Sequence, residues 1–155
     1  MDQSKQPGIQ IDQIFLHEAH FTHGKNALSL PPTYRVEGLS LQLQTKFAGK
    51  RGERGALVAV RVQTTDPDGA YNIAVEVVMV VSAVPGEENL DPLEYVQRMG
   101  PSTLFPFLRE AVASLTLKGR FGALWLKPFN FVAAATTPVE SGQANALPQP
   151  AESTN

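Results

Sequence analysis

Three features of the sequence predict an α+β domain in which an antiparallel sheet is followed by a long helix. Between residues 9 and 84, four stretches alternate apolar and polar side chains with the period of two that a half-buried strand requires. Asp66-Pro67-Asp68-Gly69 joins two of these stretches as a tight reversal, so they double back as antiparallel neighbours. Beyond residue 90 the period changes, and from Ser102 to Lys118 apolar residues recur at helical spacing with only Arg109, Glu110 and Lys118 charged.

Order is expected to begin at Ile9, after a flexible leader of residues 1–8 that lacks the basic start and apolar run of a signal peptide. Ile14, Leu16, Ala19 and Phe21 stand two or three apart, which predicts a long first strand with one bulge. Gly24, Asn26, Ser29 and the Pro31-Pro32 pair then make a loop, since consecutive prolines cannot join a ladder. A second strand is predicted from Tyr34 to Phe47, with Leu39, Leu41 and Leu43 on its packed face and Ser40, Gln42 and Gln44 on its wet face. The basic, glycine-rich Gly49–Gly55 turn leads into a third strand from Ala56 to Thr64, and a fourth runs from Tyr71 to Val84. Together these form an antiparallel meander.

Asp91 and Pro92 open a short helical segment, as cap and first-turn proline, which Gly100-Pro101 is expected to interrupt. The main helix starts at Ser102 or Thr103, tolerates Pro106 in its first turn and stops at Gly119. Phe105, Leu108, Val112 and Leu115 form one apolar stripe, and Leu104, Phe107 and Ala111 widen it beyond what one sheet face covers. Leu104, Phe107, Leu108, Ala111, Val112 and Leu115 are therefore candidates for an oligomer interface. The alternative is that the sheet, the short helix and the C-terminal segment wrap the helix within one chain.

At 155 residues the chain has material for one domain, placed at residues 9–137. The tail from 138 to 155 is expected to be mostly disordered, because Thr136-Thr137-Pro138, Gly142, Pro148 and Pro150 leave room for at most a turn or two of helix. Thirteen basic against 15 acidic side chains, both signs scattered, give nothing for nucleic acid to grip. The absence of cysteine excludes disulfides and thiolate metal sites. The most hydrophobic stretch, residues 75–84, is too short to cross a bilayer and contains Glu76 and Ser82, so a cytoplasmic protein without membrane insertion is expected.

No pattern of catalytic chemistry stands out. His17, His20 and His23 are spaced three apart, and strand alternation sends His17 and His20 to opposite faces unless a bulge intervenes, which is poor geometry for a metal. There is neither a Gly-x-Ser-x-Gly elbow nor a phosphate-binding glycine loop. The expectation is a non-enzyme with no metal and no cofactor. Phe121, Trp125, Phe129 and Phe131 crowd one segment poor in helix formers, and they are candidates to line a groove for an extended polypeptide, or else core residues.

Several of these residues carry a resemblance. Gly100-Pro101-Ser102-Thr103-Leu104-Phe105-Pro106-Phe107-Leu108-Arg109-Glu110 resembles the signature that opens the long helix of the SecB protein-export chaperones, with Gly100 in place of a cysteine and Phe107 in place of a tyrosine. Gly119-Arg120-Phe121 and Leu124-Trp125-Leu126-Lys127-Pro128-Phe129-Asn130-Phe131 are similar to the turn and ending that follow it, and the likeness spans about Ile9 to Phe131. The resemblance implies a four-stranded antiparallel sheet with the long helix across one face, assembled as a homotetramer, a dimer of dimers. It also implies binding of unfolded precursor proteins in hydrophobic grooves and their delivery to the motor ATPase of the Sec translocase. Family docking to that motor uses acidic side chains on the exposed sheet face. Glu18 matches one such position, Thr22 stands at the next and Ala74 at a third, with Glu76 expected to face away, so weakened docking is expected. A SecB-like chaperone dedicated to one partner, such as an antitoxin, and a non-catalytic scaffold subunit are the alternative functions.

Overall fold

The computed structural model describes residues 8–36, 39–87, 90–129, 131 and 145–146. Its elements are β1 (Ile9–His23), a 3-10 turn (Ala27–Ser29), β2 (Ser40–Ala48), β3 (Gly55–Thr65), β4 (Tyr71–Ala83), α1 (Pro92–Leu117) and a two-residue β5 (Asn145–Ala146). The sheet is antiparallel in the order β1-β4-β3-β2-β5. The predicted meander is β2-β3-β4, and β1 closes onto the far side of β4, so the chain crosses from one flank of the sheet to the other between β1 and β2.

Two expectations about the strands need correction. β1 carries two register shifts, between Ile11 and Gln13 and between Leu16 and Glu18, where one bulge was expected. β2 begins at Ser40, not at Tyr34, because the Tyr34 side chain is held in the preceding loop. Its hydroxyl lies 2.7 Å from Asp66 Oδ2 and 2.8 Å from Asp68 Oδ2 at the β3–β4 turn. Desolvation and the two carboxylates together push this phenol well above its ordinary range.

Alternation sends Val58, Val60 and Val62 of β3 and Ile73, Val75, Val77, Met79 and Val81 of β4 to the face that α1 covers, where all are buried. Leu104, Leu108 and Val112 of α1 meet them in one core. The helix is a single 26-residue element, so Gly100-Pro101 does not interrupt it. The glycine has a packing reason. A Cβ at residue 100 would lie 2.7 Å from Val58 Cγ1, and only a hydrogen there lets α1 approach β3 this closely. Pro101 and Pro106 each remove one helical N–H, and burial of Pro101 among core residues offsets part of that loss. Asp91 caps the start, one carboxylate oxygen accepting from Glu94 N and the other from Gly52 N of the β2–β3 turn, which anchors the helix over that end of the sheet.

The expected disorder of residues 138–155 falls outside the described residues except at Asn145–Ala146, which pair with Thr45 and Gln44 of β2. Of the expected flexible leader 1–8, residues 1–7 also lie outside them, while Gly8 is buried and its carbonyl accepts from Val84 N at 2.8 Å.

Candidate functional site

The segment after α1 turns back along the helix. Gly122 takes the left-handed conformation (φ 81°) that such a reversal requires, and Gly119 sits so close to β1 that a Cβ there would lie 2.7 Å from Phe21 Cζ. Leu124 N then donates to Thr116 Oγ1 at 2.8 Å and Arg109 Nε donates to Leu126 O at 2.8 Å, which fastens the segment to the side of the helix that the sheet does not cover.

This arrangement divides the four aromatic candidates. Phe121 is buried in a ring cluster with His23, Tyr34 and Tyr71, at centroid distances of 5.5, 5.3 and 5.7 Å. Phe131 is buried against Phe105 at 5.4 Å, with Phe129 at 4.8 Å. Phe129 is half-buried. Trp125 is 60% exposed, with the Arg109 guanidinium 5.4 Å from its ring centroid. Phe121 and Phe131 therefore belong to the core, while Trp125 and the edge of Phe129 face outward. His23 joins the β3–β4 turn to the turn after α1: Nδ1 lies 3.0 Å from Ala70 O, and Nε2 accepts from Arg120 N at 3.0 Å.

The candidate interface residues also separate. Leu104, Leu108 and Val112 are fully buried against the sheet, so they are core residues of the single chain and cannot meet a partner. The C-terminal segment covers Phe105, through Phe131, and Thr116, through Leu124 N. Ala111 and Leu115 are half-buried and Phe107 is 48% exposed. Met99 and Leu117 on the helix, and Ile11 and Leu16 on β1, are exposed apolar residues outside the set of interface candidates. Ile11 and Leu16 pair with Val81 and Val77 and so share the helix-side face, but α1 lies mainly over β3 and β4 and leaves this flank uncovered.

On the opposite face of the sheet, Glu18 is paired in register with Glu76, and Glu76 with Arg61. Glu76 thus shares the face with Glu18 and Ala74, against the expectation that it points away, because residues 74 and 76 are one full strand period apart. Arg61 takes Glu18 with Nε at 3.1 Å and Nη2 at 3.2 Å and donates through Nη1 to Gln63 Oε1 at 2.8 Å. The Arg61 hydrogen bonds hold the Glu18 carboxyl below its usual range. The second bulge brings His17 onto the same face, where Nδ1 lies 2.6 Å from Glu76 Oε2. Each of the two acids therefore has a basic partner of its own. No cluster of three potential metal ligands forms among the described residues.

The family model described as "Preprotein translocase subunit SecB" matches residues 2–138. The Protein-export protein SecB of Pseudomonas paraeruginosa is 29% identical over 153 residues, covering 94% of this chain and 91% of its own. That of Actinobacillus succinogenes is 30% identical over 138 residues, covering 84% and 80%. Among solved structures, the SecB-like chaperone of Mycobacterium tuberculosis, in complex with a ChAD peptide from the HigA1 antitoxin, has a TM-score of 0.57 at 17% identity, covers 79% of this chain and 90% of its own, and shares the fold. With the family model matched over residues 2–138, this protein belongs to the SecB family and is a non-catalytic cytoplasmic chaperone that handles precursor polypeptides for export.

Proposed function

We propose that this chaperone takes extended, non-native segments on the surface built by Trp125 and Phe129, and that it does so as an oligomer. The observation that carries the reading is Trp125, a large apolar ring left 60% exposed with the guanidinium of Arg109 over it, whose Nε is itself bonded to Leu126 O. An exposed aromatic gives contact area at small entropic cost, which suits low-specificity capture. Micromolar affinity needs about 8 kcal/mol, within reach of a segment that buries several apolar side chains. A refolding assay with a reduced client tests this. The wild type should slow refolding and shift Trp125 fluorescence, Trp125→Ala should slow it less, and a wild type without effect on refolding overturns the reading.

The exposed apolar residues Phe107 and Leu117 of α1 and Ile11 and Leu16 of β1 support assembly into the family's dimer of dimers. Docking to the translocase motor is proposed to be weak, because Glu18 is neutralised by Arg61 and the Glu76 carboxylate is engaged by His17 Nδ1. Mass spectrometry of co-purifying chains separates an export chaperone, which brings many clients, from one dedicated to a single partner.

A further inference from the structure

We infer that the outer edge of β2 is a strand-addition site for extended polypeptide, and that the chain's own segment at Asn145–Ala146 occupies it and competes with clients; the competition rests on the chaperone reading above. β2 pairs with β3 over all its length, from Ser40↔Thr65 to Ala48↔Leu57, without a register shift. On its other side, among the described residues, only Asn145 and Ala146 lie against it, at Thr45 and Gln44. A regular edge of nine residues, with two of them paired among the described residues, is a template for further backbone pairing.

The side chains along this edge state what fits. Leu41, Leu43, Thr45 and Phe47 face the helix side, where Leu43 and Thr45 are buried and Leu41 and Phe47 half-buried, while Gln42, Gln44 and Lys46 face the opposite side. A strand laid antiparallel along β2 would set alternate side chains beside Leu41, Leu43 and Phe47 and the others beside amides and an ammonium. The ligand is thus an extended chain with an apolar residue at every second position, which a non-native polypeptide supplies and a folded one conceals.

The occupant already present is tethered, so it acts at an effective concentration in the millimolar range and reduces client affinity without abolishing it. In an antiparallel ladder, one of two adjacent residues exchanges both its N–H and C=O with the facing strand and the other turns away. Asn145→Pro combined with Ala146→Pro therefore removes the donor whichever residue makes the pair, and leaves the domain untouched.

The test compares the full-length chain with this double variant in two measurements. Hydrogen exchange should show faster exchange at Gln44 and Thr45 in the variant, and binding of a fluorescent extended peptide with alternating leucines should tighten by roughly threefold to tenfold. Unchanged exchange at residues 44 and 45 overturns the occupancy of the edge. Faster exchange with unchanged peptide affinity overturns the competition. If neither protein binds the peptide or any reduced client, the chaperone reading and the competition fall together, and a normal holdase effect on reduced clients without peptide binding overturns the edge site alone.

Discussion

Arg61 reaches from β3 across β4 to grip both carboxylate oxygens of Glu18 on β1, at 3.1 and 3.2 Å, and so removes the acid that would otherwise stand free on the open face of the sheet. A bidentate guanidinium pair is geometrically specific as well as charge-neutralising. Arg61→Gln should release Glu18, and a carboxyl titration followed by NMR should show its pKa rising toward the ordinary value. Because the folded-state pKa of Glu18 is depressed, its contribution to stability is present above the unfolded value and is lost as pH falls through the folded one. The wild type should lose more stability than Arg61→Gln on acidification below about pH 4. In titrations with the translocase motor at low salt, Arg61→Gln should bind more tightly than the wild type, and an unchanged affinity would place docking elsewhere.

Leu108 and Phe107 are neighbours in sequence with opposite environments. Leu108→Glu should cost about 3–5 kcal/mol, since it buries an unpaired carboxylate in the core, and the chain should be largely unfolded by circular dichroism. Phe107→Glu should leave monomer stability within about 1 kcal/mol and instead lower the mass seen in sedimentation velocity. A Phe107→Glu protein of unchanged mass would remove this side of α1 from the assembly.

Gly100→Ala should destabilise despite the better helix former. The gain in helix propensity is at most about 1 kcal/mol, whereas a methyl placed 2.7 Å from Val58 Cγ1 forces α1 off β3 at a cost of about 1–3 kcal/mol. Urea denaturation should show a lower midpoint. Adding Val58→Ala, which opens the space, should recover part of the loss from Gly100→Ala when measured against Val58→Ala alone.

Tyr34→Phe should cost about 1–2 kcal/mol by urea denaturation, because buried Asp66 loses a hydrogen-bond donor. The Tyr34 pKa is raised in the folded chain, so its contribution is fully present below the unfolded value and is lost as pH rises above about 10. The wild type should therefore show a steeper alkaline loss of stability than Tyr34→Phe, and parallel curves would show that this phenol does not couple to folding.

Much of this was legible in the residues. Leu41 and Leu43 with Gln42 and Gln44 define a strand face because side-chain direction in a strand depends on parity alone, and Asp66-Pro67-Asp68-Gly69 defines a reversal because those residues favour turn conformations. β3 and β4 accordingly begin and end within one residue of their predicted bounds. The helix signature and the ending around Phe131 marked the family for the same reason, since both are local patterns.

What the residues alone determined was thus the four main strands, the main helix and their order, all set by interactions between near neighbours in the chain. What only the tertiary structure decided was which apolar side chains remain outside and which charges meet. Trp125 is exposed and Phe121 buried because the segment after α1 folds back along the helix. Residue 100 is a glycine inside the helix because Val58 lies directly beneath it, and Glu18 is neutralised because only β4 lies between β1 and β3, bringing Arg61 within reach 43 positions along the chain. Such outcomes depend on contacts between residues far apart in sequence, which no local periodicity encodes.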